Sequence, residues 1–221
     1  MHIPDGILPT VVWTGAYVAS GAITAYSLRQ INKQEDPRAA VPKAAMMTAA
    51  FFVASSIFVP MPPPMTSAHL ILAGTMGVML GWYAFPAIVI GLILQAIVFG
   101  HGGITTLGAN ALIMGTPALI MSALFQRLVA KRPPDDKFTL IVAFLGGFAG
   151  VILAAAIYYS FIIGTLPADI NRAAEINATI ILCLSHLPVA IVEGLFTAAL
   201  VRYLRRTRPD LIGLTPAISP S

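Results

Sequence analysis

The chain has 221 residues, 57% of them hydrophobic and only 10% charged, with a mean hydropathy of +0.85. Soluble domains are about a quarter charged, so the composition excludes an ordinary soluble enzyme and points to an all-α polytopic membrane protein. The net charge of +4 says little about nucleic acid, because in a membrane protein the placement of basic residues carries the information.

In chain order, Met1-His2-Ile3-Pro4-Asp5-Gly6 runs almost directly into apolar sequence. No basic residue precedes that first apolar stretch, which is too long for a signal h-region and reads as a retained span. A bulky His2 is also expected to discourage removal of Met1. About 20 apolar residues cross a bilayer core, and about 17 suffice. That ruler predicts a first span over 9–30 and a second over 43–60, stopping at Pro60-Met61-Pro62-Pro63-Pro64, which cannot continue a helix. The uncharged stretch 67–100 is far too long for one span, and Trp82 and Tyr83 at its middle suit an interface. It divides into two short spans joined by a tight turn. Further spans follow at 107–129, 138–164 and 176–203, about seven in all, in a single transmembrane domain over 1–221.

Twelve of the thirteen Lys and Arg fall on one side of this arrangement: Arg29, Lys33, Arg38 and Lys43, then Arg127, Lys131, Arg132 and Lys137, then Arg202, Arg205, Arg206 and Arg208. Only Arg172 falls on the other. The positive-inside tendency makes that basic side cytoplasmic, with the N-terminus extracytoplasmic and the C-terminus inside. The N-terminal segment, the proline turn and the glycine-rich segment 100–110 then share the outer side.

The residues that carry chemistry gather there. The α-amine of Met1, the His2 amide and the His2 imidazole Nδ1 can wrap one metal ion in fused chelate rings. Four nitrogens in a plane suit Ni(II) or Cu(II), so a fourth must come from elsewhere. His69, in Met65-Thr66-Ser67-Ala68-His69-Leu70, is the candidate; Thr66 and Ser67 are expected to cap the third span and place it in the first turn. Taken alone, His69 also reads as a headgroup-interface histidine. His101 sits in the densest glycine and polar cluster, Phe99 to Asn110, and irregular backbone at membrane depth lines cavities. His101 reads as a ligand, a partner that hydrogen-bonds a ligand, or an entrance residue, with the last two preferred. Asn110 is placed to hydrogen-bond the N-terminal segment or orient an imidazole, and Asp5 either accepts a bond from the amine or an imidazole or closes an Asx turn. His186 and Glu193 share one face of the last span and read first as structural, with Pro188 bending the helix. The single Cys183 excludes a disulfide framework and a cysteine zinc cluster. The small residues Gly15, Ala16, Ala19, Ser20, Gly21, Ala22 and Ala25 in the first span serve either bundle packing or a partner.

Taken together, Met1 to Gly6, Thr66 to Leu70, Phe99 to Asn110, and His186-Leu187-Pro188 through Glu193-Gly194 resemble, in that order, the nickel/cobalt substrate-binding components of energy-coupling factor transporters, the CbiM/NikM family. The likeness spans nearly the whole chain. It implies a seven-helix protein whose N-terminus folds back into the bundle, with Met1, His2 and His69 binding the ion. It implies Ni2+ or Co2+ as transported substrate with no organic cofactor, in a prokaryotic inner or plasma membrane. It further implies a transmembrane coupling component, ATP-binding subunits and a small accessory membrane protein as partners, the accessory unit expected on a separate chain. The Thr-Ser-Ala-His-Leu segment, without the His-Pro step of cobalt-type members, leans towards nickel.

No phosphate-binding Gly-Lys-Ser/Thr loop and no His-Glu-x-x-His helix appears, so the chain is not expected to be an enzyme and ATP hydrolysis is assigned to the partners. The alternative is a stand-alone secondary transporter of a small solute, using His186 and Glu193 for ion or proton coupling. Metal binding is expected to release protons and to weaken below neutral pH, where histidines charge.

Overall fold

The structure is a computed structural model that describes residues 1–57, 59–61, 66–129, 137–167 and 171–212. Its elements are α1 (Thr10–Ile31), α2 (Val41–Ala54), β1 (Val59–Met61), β2 (Thr66–Ala68), α3 (Ala73–Leu80), a 3-10 turn (Gly81–Tyr83), α4 (Ala84–Phe99), α5 (Leu107–Val129), α6 (Lys137–Gly164), α7 (Arg172–Ser185), α8 (Leu187–Thr207) and a last 3-10 turn (Pro209–Ile212). Among the described residues, Ala73–Phe99, Leu107–Val129, Lys137–Gly164 and Arg172–Thr207 are long and apolar enough to cross a membrane. Large apolar side chains such as Val18, Ile97, Leu145 and Leu195 point outward. Such a surface is a liability in water and ordinary against acyl chains. The chain is a helical membrane protein.

The expected spans 107–129 and 138–164 correspond closely to α5 and α6, but three boundaries differ. The second helix ends at Ala54, before the prolines. Ser55 and Ser56 turn their hydroxyls back to the carbonyls of Phe51 (2.5 Å) and Phe52 (2.6 Å), offering the backbone an alternative to continued helix. After it comes a small antiparallel pair, Val59 opposite Ala68 and Met61 opposite Thr66, within an otherwise helical fold, so Thr66 and Ser67 lie in a strand, not at a helix cap. His69 therefore stands in an extended lead-in to α3, four residues before its first helical residue. Finally, the helix expected over 176–203 is broken at His186, between α7 and α8. Thirty-six unbroken residues would measure about 54 Å, far beyond a hydrocarbon core of about 30 Å, and Pro188 in the first turn of α8 favours the break. The prolines at 62–64 lie outside the described residues.

The stretch 73–99 reverses direction. Gly77 abuts the backbone of Ala118 and Gly81 approaches Ser122 and Gln126, so α3 runs alongside α5. Phe85 then meets Gly115, and Val89 shares a small cavity with Leu107, Gly108 and Ala111, so α4 runs back. Gly81, at φ 61, supplies the left-handed corner that L side chains rarely adopt. The turn sits far from the histidines, where the Tyr83 hydroxyl donates to the Pro37 carbonyl at 2.6 Å. In α1, Ala16, Ser20 and Ser27 are buried and Gly108 packs on Ala16 and Tyr17. A Cβ added at Gly15 or Gly21 would meet no other heavy atom within 4 Å among the described residues.

Helix α3 also lies directly against α6. A Cβ on Gly74 would clash with the Gly146 carbonyl and lie 2.8 Å from the Gly147 Cα. Gly74→Val is therefore expected to destabilise the bundle by about 1–3 kcal/mol or more, read as a lowered Tm in detergent; an unchanged Tm would contradict this backbone-to-backbone approach.

Candidate metal centre

The first nine residues have no helix to satisfy their backbone, yet Met1 is 5% exposed and Ile3 is fully buried. A buried peptide group must find a partner, and for Ile3 that partner is Asn110, in the first turn of α5. Its Oδ1 accepts from the Ile3 N–H at 2.8 Å and its Nδ2 donates back to the Ile3 carbonyl at 3.0 Å, while Thr106 Oγ1 donates to the same carbonyl at 2.6 Å. One side-chain amide thus does the work of a neighbouring strand. Gly6, at φ 83, turns the chain after Asp5. The Asp5 carboxylate accepts from the Thr105 N–H (2.8 Å), the Ile104 N–H (3.2 Å) and the Thr105 hydroxyl. These bonds, the hydroxyl foremost, lower its pKa. Asp5 therefore holds the 104–105 loop; these bonds are neither the bond to the amine or an imidazole nor the Asx turn that its sequence context offered as alternatives.

Held in this way, the N-terminus meets three imidazoles. The Met1 amine is 2.5 Å from His69 Nε2, His2 Nδ1 is 3.2 Å from the same atom, and His101 Nε2 is 2.7 Å from His2 Nδ1. One nitrogen each from His2, His69 and His101 lies within 4.8 Å of the others. His69 Nδ1 is taken up by the Leu70 carbonyl at 3.0 Å, which leaves Nε2 as the lone pair facing the amine. With metal–nitrogen bonds of about 2 Å, adjacent corners of a square stand roughly 2.8 Å apart. The two distances from His69 Nε2 straddle that value, placing it as a corner next to both the amine and His2 Nδ1. His101, half-buried where His69 is 3% exposed, occupies the more open side. Its bond to His2 Nδ1 has to turn away before that lone pair can take an ion. Gly102 makes the approach possible: its φ is 79, and a Cβ there would press on Asn110 Nδ2 at 3.2 Å and on His2 at 3.5 Å.

Two further residues belong to the surroundings and were not singled out in this role from sequence. Gln95 of α4 is fully buried within electrostatic reach of the His2 ring, although the two do not close a direct hydrogen bond. Its Nε2 is committed to Ser55 Oγ and, at 3.4 Å, to the Phe52 carbonyl, which leaves Oε1 free to receive His2 Nε2–H. The only signal for it was a lone amide in an otherwise apolar run. His186, read from sequence as structural, stands edge-on to His69 with ring centres 6.4 Å apart, its Nδ1 bonded to the Leu182 carbonyl at 2.8 Å. Glu193 reaches the same region, accepting from the N–H groups of Ile71 and Leu72. Leu72 itself is left-handed at φ 53, which costs an L-residue about 1–2 kcal/mol.

Burial sets the charge of the cluster. It pushes the Met1 amine down from 8.0 to about 5, and it holds His2 and His69 well below the ordinary histidine value; burial lowers the half-buried His101 as well. A base with a lowered pKa is neutral above that value, so at pH 7 amine and imidazoles already present lone pairs. The weakening expected just below neutrality moves down towards pH 5. Titration calorimetry at pH 7, in buffers of differing ionisation enthalpy, is expected to count about one proton released per ion, from the His2 amide, where a solvated site would release about two. Asn110→Ala strands the Ile3 amide at about 1–3 kcal/mol. It is expected to weaken metal binding roughly 10- to 100-fold and to raise amide exchange at Ile3; unchanged exchange would show that Asn110 does not hold the segment.

Residues 2–211 match the family model described as CbiM, cobalt uptake substrate-specific transmembrane region. The chain is 35% identical over 220 residues to a protein of Haemophilus influenzae assigned to metal transport, covering 99% of this chain and 100% of that one. It is 33% identical over 233 residues to the fused nickel transport protein NikMN of Rhodobacter capsulatus, covering all of this chain and 66% of that longer protein. A crystal structure of a transition metal transporter superposes with a TM-score of 0.78 at 27% identity, over 93% of each chain. The chain belongs to the CbiM/NikM family of cobalt and nickel uptake components, which are membrane transport proteins and not enzymes.

Proposed function

We propose that this chain captures Ni2+, in preference to Co2+, from outside a prokaryotic cell, as the membrane-embedded substrate-binding subunit of an ATP-driven energy-coupling factor transporter. The ligands are the Met1 amine, the His2 amide nitrogen and imidazole, and the His69 imidazole, with His101 at the entrance and Asp5 and Asn110 holding the segment that carries them. The observation behind this reading is the convergence of the Met1 amine and His2 Nδ1 on His69 Nε2, at 2.5 and 3.2 Å. An all-nitrogen plane of this kind suits nickel among the two family metals.

In this reading α1, α2, α4, α5 and α6 each form one span, the eight-residue α3 crosses together with its extended lead-in, and the broken pair α7–α8 makes the seventh, in one transmembrane domain. The histidine end then faces outward and the basic segments after α1, α5 and α8 face the cytoplasm. A transmembrane coupling protein, ATP-binding subunits and a small accessory membrane protein complete the transporter, and ATP hydrolysis belongs to those partners. A self-sufficient carrier coupled through Glu193 is less well supported, because both oxygens of that carboxylate are engaged by backbone N–H groups.

The test is metal analysis of the protein with a native N-terminus beside an otherwise identical protein carrying residues before Met1. The extended protein is expected to fold with the same Tm and to bind no nickel at stoichiometric concentrations. Equal nickel content in the two would overturn the assignment of the amine.

A further inference from the structure

Glu193 is fully buried on α8, in contact not with the metal nitrogens but with the backbone that carries one of them. Its carboxylate accepts from the Ile71 N–H, and the Leu72 N–H bridges its two oxygens at 3.0 and 2.9 Å. These amides stand at the start of α3, where the first N–H groups have no partner within the helix and a negative charge is favoured by the helix dipole. The cap thus comes from a residue more than 100 positions away, and Leu72 keeps a left-handed conformation (φ 53, ψ 11) beneath it. A bulky L-residue adopts that conformation only where its surroundings compel it.

His69 lies two residues before Ile71, and its Nδ1 is bonded to the carbonyl of Leu70 between them. The ring therefore inherits its position from the clamped backbone. At the other end of the clamp, α8 is seated on α6 with no slack. A Cβ on Gly147 would lie 2.6 Å from the Glu193 carbonyl oxygen, and one on Gly194 would lie 2.8 Å from the Phe144 ring. The chain of contact runs from α6 through Glu193 to the Ile71–Leu72 backbone and on to His69.

We propose that Glu193 is the positioning residue for His69: by clamping the start of α3 from α8 it holds Nε2 at its corner of the metal plane, and a shift of α8 against α3 withdraws that nitrogen. The inference rests on the four-nitrogen reading above. Hydrogen bonds of 2.9–3.0 Å have little strength left beyond about 3.5 Å, so a displacement of well under one helical turn suffices to release the clamp. Movement of the last helix would thereby reach the ion without touching it, exchanging a four-nitrogen plane for a three-nitrogen one.

The experiment uses the full chain with a native N-terminus in lipid nanodiscs, titrated with Ni2+ while the visible absorption band of the bound metal is recorded. His69→Ala, Glu193→Gln, the double variant and Thr197→Val are compared. Gln offers one oxygen, and its NH2 opposes the Leu72 N–H. Glu193→Gln is expected to weaken binding roughly 10- to 100-fold and to move the band in the same direction as His69→Ala. The double variant is expected to bind no more weakly than His69→Ala alone, since the two act on one interaction. Thr197→Val removes the 2.7 Å bond to Thr75 in the same α8–α3 interface and the 2.7 Å bond to the Glu193 carbonyl within α8, leaves the Glu193 carboxylate and its bonds to Ile71 and Leu72 in place, and is expected to leave the band where it was.

Additive losses with an unmoved band, or a Thr197→Val band shift equal to that of Glu193→Gln, would overturn the proposal in favour of a general packing role. If Glu193→Gln does not accumulate, Glu193→Asp keeps the charge, withdraws the carboxylate by one methylene and is judged by the same criteria. Should His69→Ala itself change neither affinity nor band, the four-nitrogen site fails; a changed His69→Ala beside an unchanged Glu193→Gln sinks the positioning role alone.

Discussion

The two-point bond between the Ile3 backbone and the Asn110 amide is the constraint on which the rest of the site depends. A peptide group removed from water without a partner costs several kcal/mol, and in a bilayer-embedded protein irregular backbone survives only where protein satisfies it. Asn110 meets that requirement for Ile3, Thr106 supplements it, and Thr105 with Ile104 anchors the turn through Asp5. With those contacts made, the first two residues have one place to go, against His69 and His101. Burial then follows from position, and a neutral amine follows from burial.

That sequence of causes gives the candidate site a charge balance different from that of a carboxylate cage. Its converging donors are uncharged nitrogens, while the carboxylates of Asp5 and Glu193 are both committed to backbone N–H groups. Neutral donors bury without the large penalty that attends buried charge. They also leave most of the ion's own charge uncompensated, apart from whatever a deprotonated amide supplies. An ion meant to be handed on, not kept, is better served by such a set than by a ring of carboxylates.

How much of this was legible in the sequence depended on whether the deciding partner was local. The bounds of α5 and α6 follow from charged and polar segments on either side of apolar runs, and the reversal at Gly81 follows from a stretch too long for one span with Trp82 and Tyr83 at its middle. The end of α2 was overestimated because apolar residues continue after the helix has stopped, and two serine hydroxyls mark the stop. The start of α3 was placed too early because its true cap, Glu193, sits on another helix. In the site, Met1, His2 and His69 could be singled out by counting nitrogens, and Asn110 by its place in a glycine-rich segment. Gln95 escaped notice because an amide without charge hardly interrupts an apolar run, and the partner of Asp5 is 99 and 100 residues away. Local chemistry names the candidate ligands, and distant contacts decide where they stand.

The partners of the N-terminal segment lie 67 to 107 residues further along the chain. Separations of this size are no longer than those between the helices themselves, since Glu193 and Leu72 are 121 residues apart. What sets Met1 to Gly6 apart is that the segment has no helix of its own and is held to the frame by a handful of polar bonds. Breaking those bonds does not require separating any pair of helices. The segment is in that sense a plug on a preformed frame, its breathing set by Asn110 and Asp5, independent of the stability of the bundle beneath it.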